Sequence, residues 1–162
     1  MIVVADASPI CYLILTGHIE LVPKLFGRVF LPQAVLAELR AEGAPTSVRD
    51  WAAYPPAWVS VVSVSTASAA GLETLQAGER EAICLAGALK ADLILLDEKS
   101  ARRLASSRGL KVTGVLGVLA EAASRGLVSL PEALDRLTRT SFRYSPALLK
   151  ELLHRCRARG EV

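Results

Sequence analysis

Four carboxylates, Asp6, Glu38, Glu79 and Asp97, stand where a folded chain gains little from charge. Asp6 ends the apolar run Met1-Ile2-Val3-Val4-Ala5, and Asp97 ends Leu93-Ile94-Leu95-Leu96. Glu38 and Glu79 belong to predicted helices rich in Ala, Val, Leu and Ile. An acid on an apolar face is costly unless it is paired or metal-bound. Clustered carboxylates suit hard cations such as Mg²⁺ and Mn²⁺, which keep several waters and often bridge to phosphate oxygens. Such an ion lowers the pKa of a bound water and polarises the phosphorus centre. The chemistry these residues point to is metal-dependent hydrolysis of a phosphodiester.

Each acid also has an ordinary reading. Asp6 lies two residues before Ser8-Pro9 and could cap the following helix. Glu38 shares a face with Val35 and Leu39, so it could be a partly buried acid paired with Arg40 or Arg49. Glu79 follows Gly78 at a helix start, where the macrodipole favours any carboxylate. Glu81 competes with it, because the stretch from Ala82 to Leu89 is apolar nearly all round and periodicity cannot choose between the two. Glu98 competes with Asp97 in the same way, since either could cap the next helix. Asp92 precedes its strand, belongs at the opposite end of a sheet and is set aside.

The elements that must position these acids alternate between short β-branched runs and longer helical patterns. Strands are expected at 2–5, 28–31, 58–64, 93–96 and 110–112. Ser8 and Pro9 read as N-cap and first helical residue of a helix through Leu15; a second helix, 19–26, is expected to bend near Pro23. Further helices are expected at 33–41, 46–53, 78–90, 100–107, 115–125, 131–138 and 146–157. The alternation predicts an α/β fold with a mainly parallel sheet covered by helices on both faces. Ligands in such sheets bind beyond the carboxyl ends of the strands, near a switch in strand order. Asp6 and Asp97 both fall at strand carboxyl ends.

With 162 residues and 52% hydrophobic content, the expectation is one domain over 1–162 with a helical C-terminal segment, 127–162. No apolar stretch is long enough to span a bilayer and the N-terminus lacks a basic leader, so a cytoplasmic protein without membrane contact is expected. Cys11, Cys84 and Cys156 are far apart among apolar neighbours, which fits buried hydrophobes in a reducing compartment. The net charge is +3; with the four acids set aside, 19 basic residues face 12 acids, a basic body around an acidic hole.

The segments Val4-Ala5-Asp6-Ala7-Ser8-Pro9-Ile10, Leu31-Pro32-Gln33-Ala34-Val35 with Glu38, Gly78-Glu79-Arg80-Glu81-Ala82-Ile83 and Leu95-Leu96-Asp97-Glu98 resemble those of PIN-domain ribonucleases. They are most similar to the prokaryotic branch related to the VapC toxins of toxin–antitoxin pairs, as is Thr113-Gly114-Val115-Leu116-Gly117. The resemblance runs from Met1 to about Gly126. It implies a three-layer α/β/α domain, Mg²⁺ or Mn²⁺ dependence, single-stranded RNA as substrate, an antitoxin partner and a homodimer. It also implies that Asp6, Glu38, Asp97 and one of Glu79 or Glu81 are metal ligands, with Glu98 the alternative to Asp97 and Ser8 in support. The competing expectation is a catalytically degenerate PIN-like module that binds RNA or protein.

Other chemistries lack their residues. No glycine-rich phosphate loop is present, and His18 and His154 are far apart without an acid-spaced or Cys partner. A receiver domain would need paired acids after its first strand, where Ala5 precedes Asp6, and a haloacid-dehalogenase-like phosphatase would need an acid at Ser8. Arg80, Lys99, Arg102 and Arg103 are candidate contacts to RNA phosphates. The C-terminal helix carries Leu148, Leu149, Leu152, Leu153 and Cys156 on one stripe, with Lys150, Arg155, Arg157 and Arg159 elsewhere.

Overall fold

The computed structural model describes residues 1–158 and 160; Arg159 lies outside the described residues. The aliphatic runs form five short strands: β1 (Val3–Ala5), β2 (Val29–Pro32), β3 (Val59–Val62), β4 (Leu93–Leu95) and β5 (Val112–Thr113). All four pairings are parallel, and the order is β3-β2-β1-β4-β5. Parallel neighbours need crossover connections, and helices supply them. These are α1 (Ala7–Leu15), α2 (Leu21–Phe26), α3 (Gln33–Leu39), α4 (Thr46–Ala53), α5 (Ala77–Leu89) and α6 (Lys99–Ser107). Then come α7 (Val115–Ser124), α8 (Leu130–Thr138) and α9 (Pro146–Ala158).

Side chains alternate across the sheet, so its two faces build two cores. Val3, Ala5, Val29, Leu31 and Leu95 face one way, against Ile10 and Leu13 of α1, Val35 and Leu39 of α3, and Val118 and Leu119 of α7. Val4, Ile94 and Leu96 face the other way, against Ile83 and Leu85 of α5 and Ala101 and Ala105 of α6. The result is the three-layer α/β/α arrangement. Among the described residues no helix is long and apolar enough to cross a membrane.

Several boundaries move, for local reasons. Helix α1 starts at Ala7 rather than Pro9, so Asp6 takes the N-cap position expected of Ser8 and Pro9 falls inside the first turn. The second helix begins at Leu21, which puts Pro23 in its first turn instead of at a bend. Proline is tolerated there because first-turn amides have no partner inside the helix. Strand β3 is an edge strand of four half-buried residues, shorter than the expected 58–64. Helix α3 stops at Leu39 and β5 shifts to Val112–Thr113.

The chain leaves β1 for β2 and β3 on one side, then crosses back to lay β4 and β5 on the other. The switch in direction therefore falls between β1 and β4, whose register pairs Ala5 with Leu95. Ile94 is fully buried at this junction and belongs to the α5–α6 core. Ile94→Ala should cost about 2–5 kcal/mol of stability in a urea titration, the usual range for removing an isoleucine from a packed core.

Candidate functional site

Because Ala5 and Leu95 are paired, the residues that leave β1 and β4 emerge together at the carboxyl edge of the sheet. The Asp6 amide donates to the Leu95 carbonyl at 3.0 Å, which fixes where its side chain starts. Asp6 is only 4% exposed, one of two buried polar residues among those described. Its side chain does not cap α1, and Oδ1 has no hydrogen-bond partner. Burial is the main reason its pKa rises from 3.8 to about 7. The Ala7 amide offsets part of this, while the charges of Glu38, Glu79 and Asp97 add to it.

Two of those neighbours come from helices that clasp each other. On α3, Glu38 Oε1 accepts from the Gly78 amide at the start of α5, at 3.1 Å. On α5, Glu81 Oε2 accepts from the Ala34 amide at the start of α3, at 2.9 Å. Each helix thus gives a carboxylate to the other's amino terminus, where unpaired N–H groups and the dipole favour an anion. Glu38 lies outside the apolar stripe expected for it: Val35, Leu36 and Leu39 are buried, while Glu38 is exposed along much of its length. Its carboxylate end is enclosed enough for burial to raise its pKa, against the Gly78 bond. Arg40 and Arg49 bond the carbonyls of Ala52 and Glu42 instead of pairing with it. Gly78 has a steric reason to lack a side chain, because a Cβ there would collide with the Glu38 carboxylate and sit 3.3 Å from Asp6 Oδ1.

The structure separates the two pairs of competing acids. Glu79 is half-buried, and its pKa is raised by burial and by the charges of Glu98 and Glu38. Glu81 is engaged at the α3 terminus. Asp97 Oδ1 accepts from the Val115 amide at 2.9 Å, while its Oδ2 is buried without a partner. Burial raises the Asp97 pKa; the Val115 amide, the Arg102 guanidinium and the Ser8 hydroxyl pull the other way. Glu98 is exposed and caps α6, accepting from Ala101 at 2.7 Å, a bond that holds its pKa low. It borders the acids without being enclosed by them.

Asp6, Glu38, Glu79 and Asp97 thus share one electrostatic field at the topological switch point. Two of them aim buried, unpartnered oxygens into it. Among the described residues no group of three or more Asp, Glu, His or Cys side chains is arranged to hold a metal ion. A Mg²⁺-type ion needs only one or two carboxylates and keeps most of its waters. The hard oxygen donors and the orphaned oxygens of Asp6 and Asp97 fit such a cation.

The basic candidates divide by what already holds them. Arg80 bonds the carbonyls of Leu72 and Leu75, pinning the approach to α5. Arg102 bonds the Leu96 carbonyl at 2.9 Å and packs under Gly114, where a Cβ would strike both it and Asp97. Lys99 and Arg103 are exposed. Sequence reasoning missed the crossed carboxylates of α3 and α5 and the segment 139–145, which forms a wall beside Asp97. Glu38 and Glu81 were visible as acids, but nothing in the spacing says which helix start each serves.

A family model described as DUF3368, PIN domain, matches residues 2–158. No curated protein and no solved structure matches the chain significantly.

Two measurements test the division of labour among the acids. The folded Asp6 carboxyl keeps its proton to higher pH than the unfolded one, so its stabilising contribution is complete below about pH 4 and is lost as pH rises through about 7. In metal-free protein, Asp6→Asn should therefore be more stable than the parent at pH 8, by up to about 4 kcal/mol, with the gain fading toward pH 4. Thermal melts across that range check it. Glu81→Ala should lose about 1 kcal/mol as a lost cap and retain divalent-ion binding, whereas Glu79→Ala should weaken Mn²⁺ binding in calorimetry without that loss of stability.

Proposed function

The chain belongs to the PIN-domain family, whose members are generally nucleases, and from that premise we propose that it is a Mg²⁺- or Mn²⁺-dependent endoribonuclease acting on single-stranded RNA. The observation that carries this reading is the pair of buried, unpartnered oxygens, Asp6 Oδ1 and Asp97 Oδ2, on adjacent strand ends in a field of four acids. Unpartnered buried carboxylate oxygens destabilise a fold unless something binds them. In this reading Asp6, Glu38, Glu79 and Asp97 would hold the cation. A bound divalent ion supplies an activated water and neutralises charge that develops at the phosphorus.

The remaining residues act on those ligands. Asp6 must give up its proton to serve, so cation affinity should rise with pH through about 7. Val115 and Ser8 favour the ionised form of Asp97, and Arg102 fixes the loop that carries it. Glu81 holds the start of α3, the helix that carries Glu38, and Glu98 caps α6 directly after Asp97. Resemblance to the VapC-related branch extends the proposal to a cytoplasmic toxin with an antitoxin partner and a homodimeric state. The second reading, a degenerate binding module, draws on the finding that among the described residues no group of three acid, His or Cys side chains is arranged to hold a metal ion.

Purified protein with Mn²⁺ should cut a labelled single-stranded RNA, and chelation should stop it. Asp6→Asn and Asp97→Asn should each reduce cutting by more than roughly 100-fold, since even second-sphere losses at metal sites cost 10–100-fold. Cutting that survives chelation, or full activity in Asp6→Asn, overturns the mechanism. RNA binding without cleavage under any divalent ion supports the binding module.

A further inference from the structure

Two grooves open on either side of Asp97, and both share Asp97, Lys99, Phe142 and Arg143. One, of about 540 Å³, continues over Gly114 and Leu116 to Tyr144, Leu148 and Leu152. The other, of about 490 Å³, continues over Ser8, Tyr12, Glu98 and Ser141. The second wall of this double groove is the linker between α8 and α9, residues 139–145. It is fixed in place: Phe142 packs edge-on against Tyr12 at 5.1 Å between ring centres, and the Tyr12 and Ser141 hydroxyls are 3.0 Å apart. The Phe142 amide also donates to Thr140 Oγ1. Tyr12 stands one helical turn beyond Ser8, so the acid-bearing edge of the sheet and the linker share one support.

Lys99 and Arg143 are exposed on opposite walls. Neither makes an ion pair or a hydrogen bond among the described residues, whereas Arg80, Arg102 and Arg108 are held by backbone carbonyls. Tyr144 is 42% exposed and lines the more apolar groove together with Leu148, also 42% exposed. Uncommitted cations beside an aromatic platform, continuous with a cluster of acids, suit a single-stranded polynucleotide better than an apolar protein segment. Phosphates need the cations and every base has a face to stack.

We propose that the α8–α9 linker is the substrate-reading wall of the site, with Arg143 and Lys99 holding phosphates that flank the cleaved bond and Tyr144 stacking the adjacent base. This rests on the single-stranded RNA reading but is tested by binding alone. Arg143 and Tyr144 are exposed, so their substitution leaves the cores untouched.

In an Asp6→Asn background, which prevents cutting, fluorescence anisotropy with a labelled single-stranded RNA 12-mer measures affinity over a series of salt concentrations. Tyr144→Ala should weaken binding about fivefold to a hundredfold, and Tyr144→Phe should restore it. Arg143→Gln should flatten the plot of log affinity against log salt by about 0.7, the slope of one single-strand phosphate contact. A structural role for Arg143 would leave that slope unchanged. Affinity and slope unaltered in both variants overturn the proposal and leave the groove to a protein occupant. Variant-sensitive binding in a protein whose parent never cleaves RNA supports the reading wall while overturning the nuclease assignment.

Discussion

The constraint on which this molecule turns is an uncompensated carboxyl group at the centre of its sheet. Asp6 is almost wholly enclosed, its Oδ1 finds no donor, and the charges of Glu38, Glu79 and Asp97 that act on it are all negative. A lone acid of this kind has two ways to persist: it keeps a proton, or it meets a cation. A pKa near 7 places the group between those states at neutral pH. The fold accepts this strain because Asp6 is held from behind, by the β1–β4 ladder and the hydrogen bond of its own amide to Leu95.

The acids around Asp6 are kept at their distance by exchange between helices. Glu38 serves the start of α5 and Glu81 the start of α3, so the two helices cannot slide without losing a charge-assisted bond at each end. Gly78 is the point where this clasp passes closest to Asp6. The same economy recurs on the other side of the sheet. The Val115 amide at the start of α7 takes Asp97, Glu98 caps α6, and the space at Gly114 is filled by Asp97 and Arg102. Helix termini thus act as fixtures for carboxylates around the site, while Asp6 Oδ1 and Asp97 Oδ2 are left without a partner.

Much of the fold was legible in the sequence because its signals are local. Four-residue aliphatic runs separated by longer helical patterns leave a parallel sheet as the economical arrangement, and helix α4 falls where it was expected, Thr46–Ala53. Two of the shifted boundaries involve prolines. Pro9 and Pro23 were read as a first helical residue and a bend, yet each sits within a first turn that has no internal hydrogen bond to lose. Glu38 was placed on an apolar stripe by spacing alone. Its neighbours Val35 and Leu39 are indeed buried, but a helix of seven residues is too short for spacing to separate the edge of the stripe from its centre.

By itself the sequence determined the strand-end positions of Asp6 and Asp97, because a buried strand has to stop where an acid begins and the polypeptide direction fixes the end of the sheet to which it belongs. It also determined which residue types were available for a hard cation. The tertiary structure alone decided which acid faces which. Glu79 and Glu81, like Asp97 and Glu98, are neighbours with the same chemistry at the same kind of helix start. They are told apart only by an amide arriving from elsewhere in the chain: Ala34 for Glu81, 47 residues away, and Val115 for Asp97, 18 residues away. The linker wall with Arg143 and Tyr144 was likewise invisible in one dimension, since it reaches the acids only through the packing of Phe142 on Tyr12 across the fold.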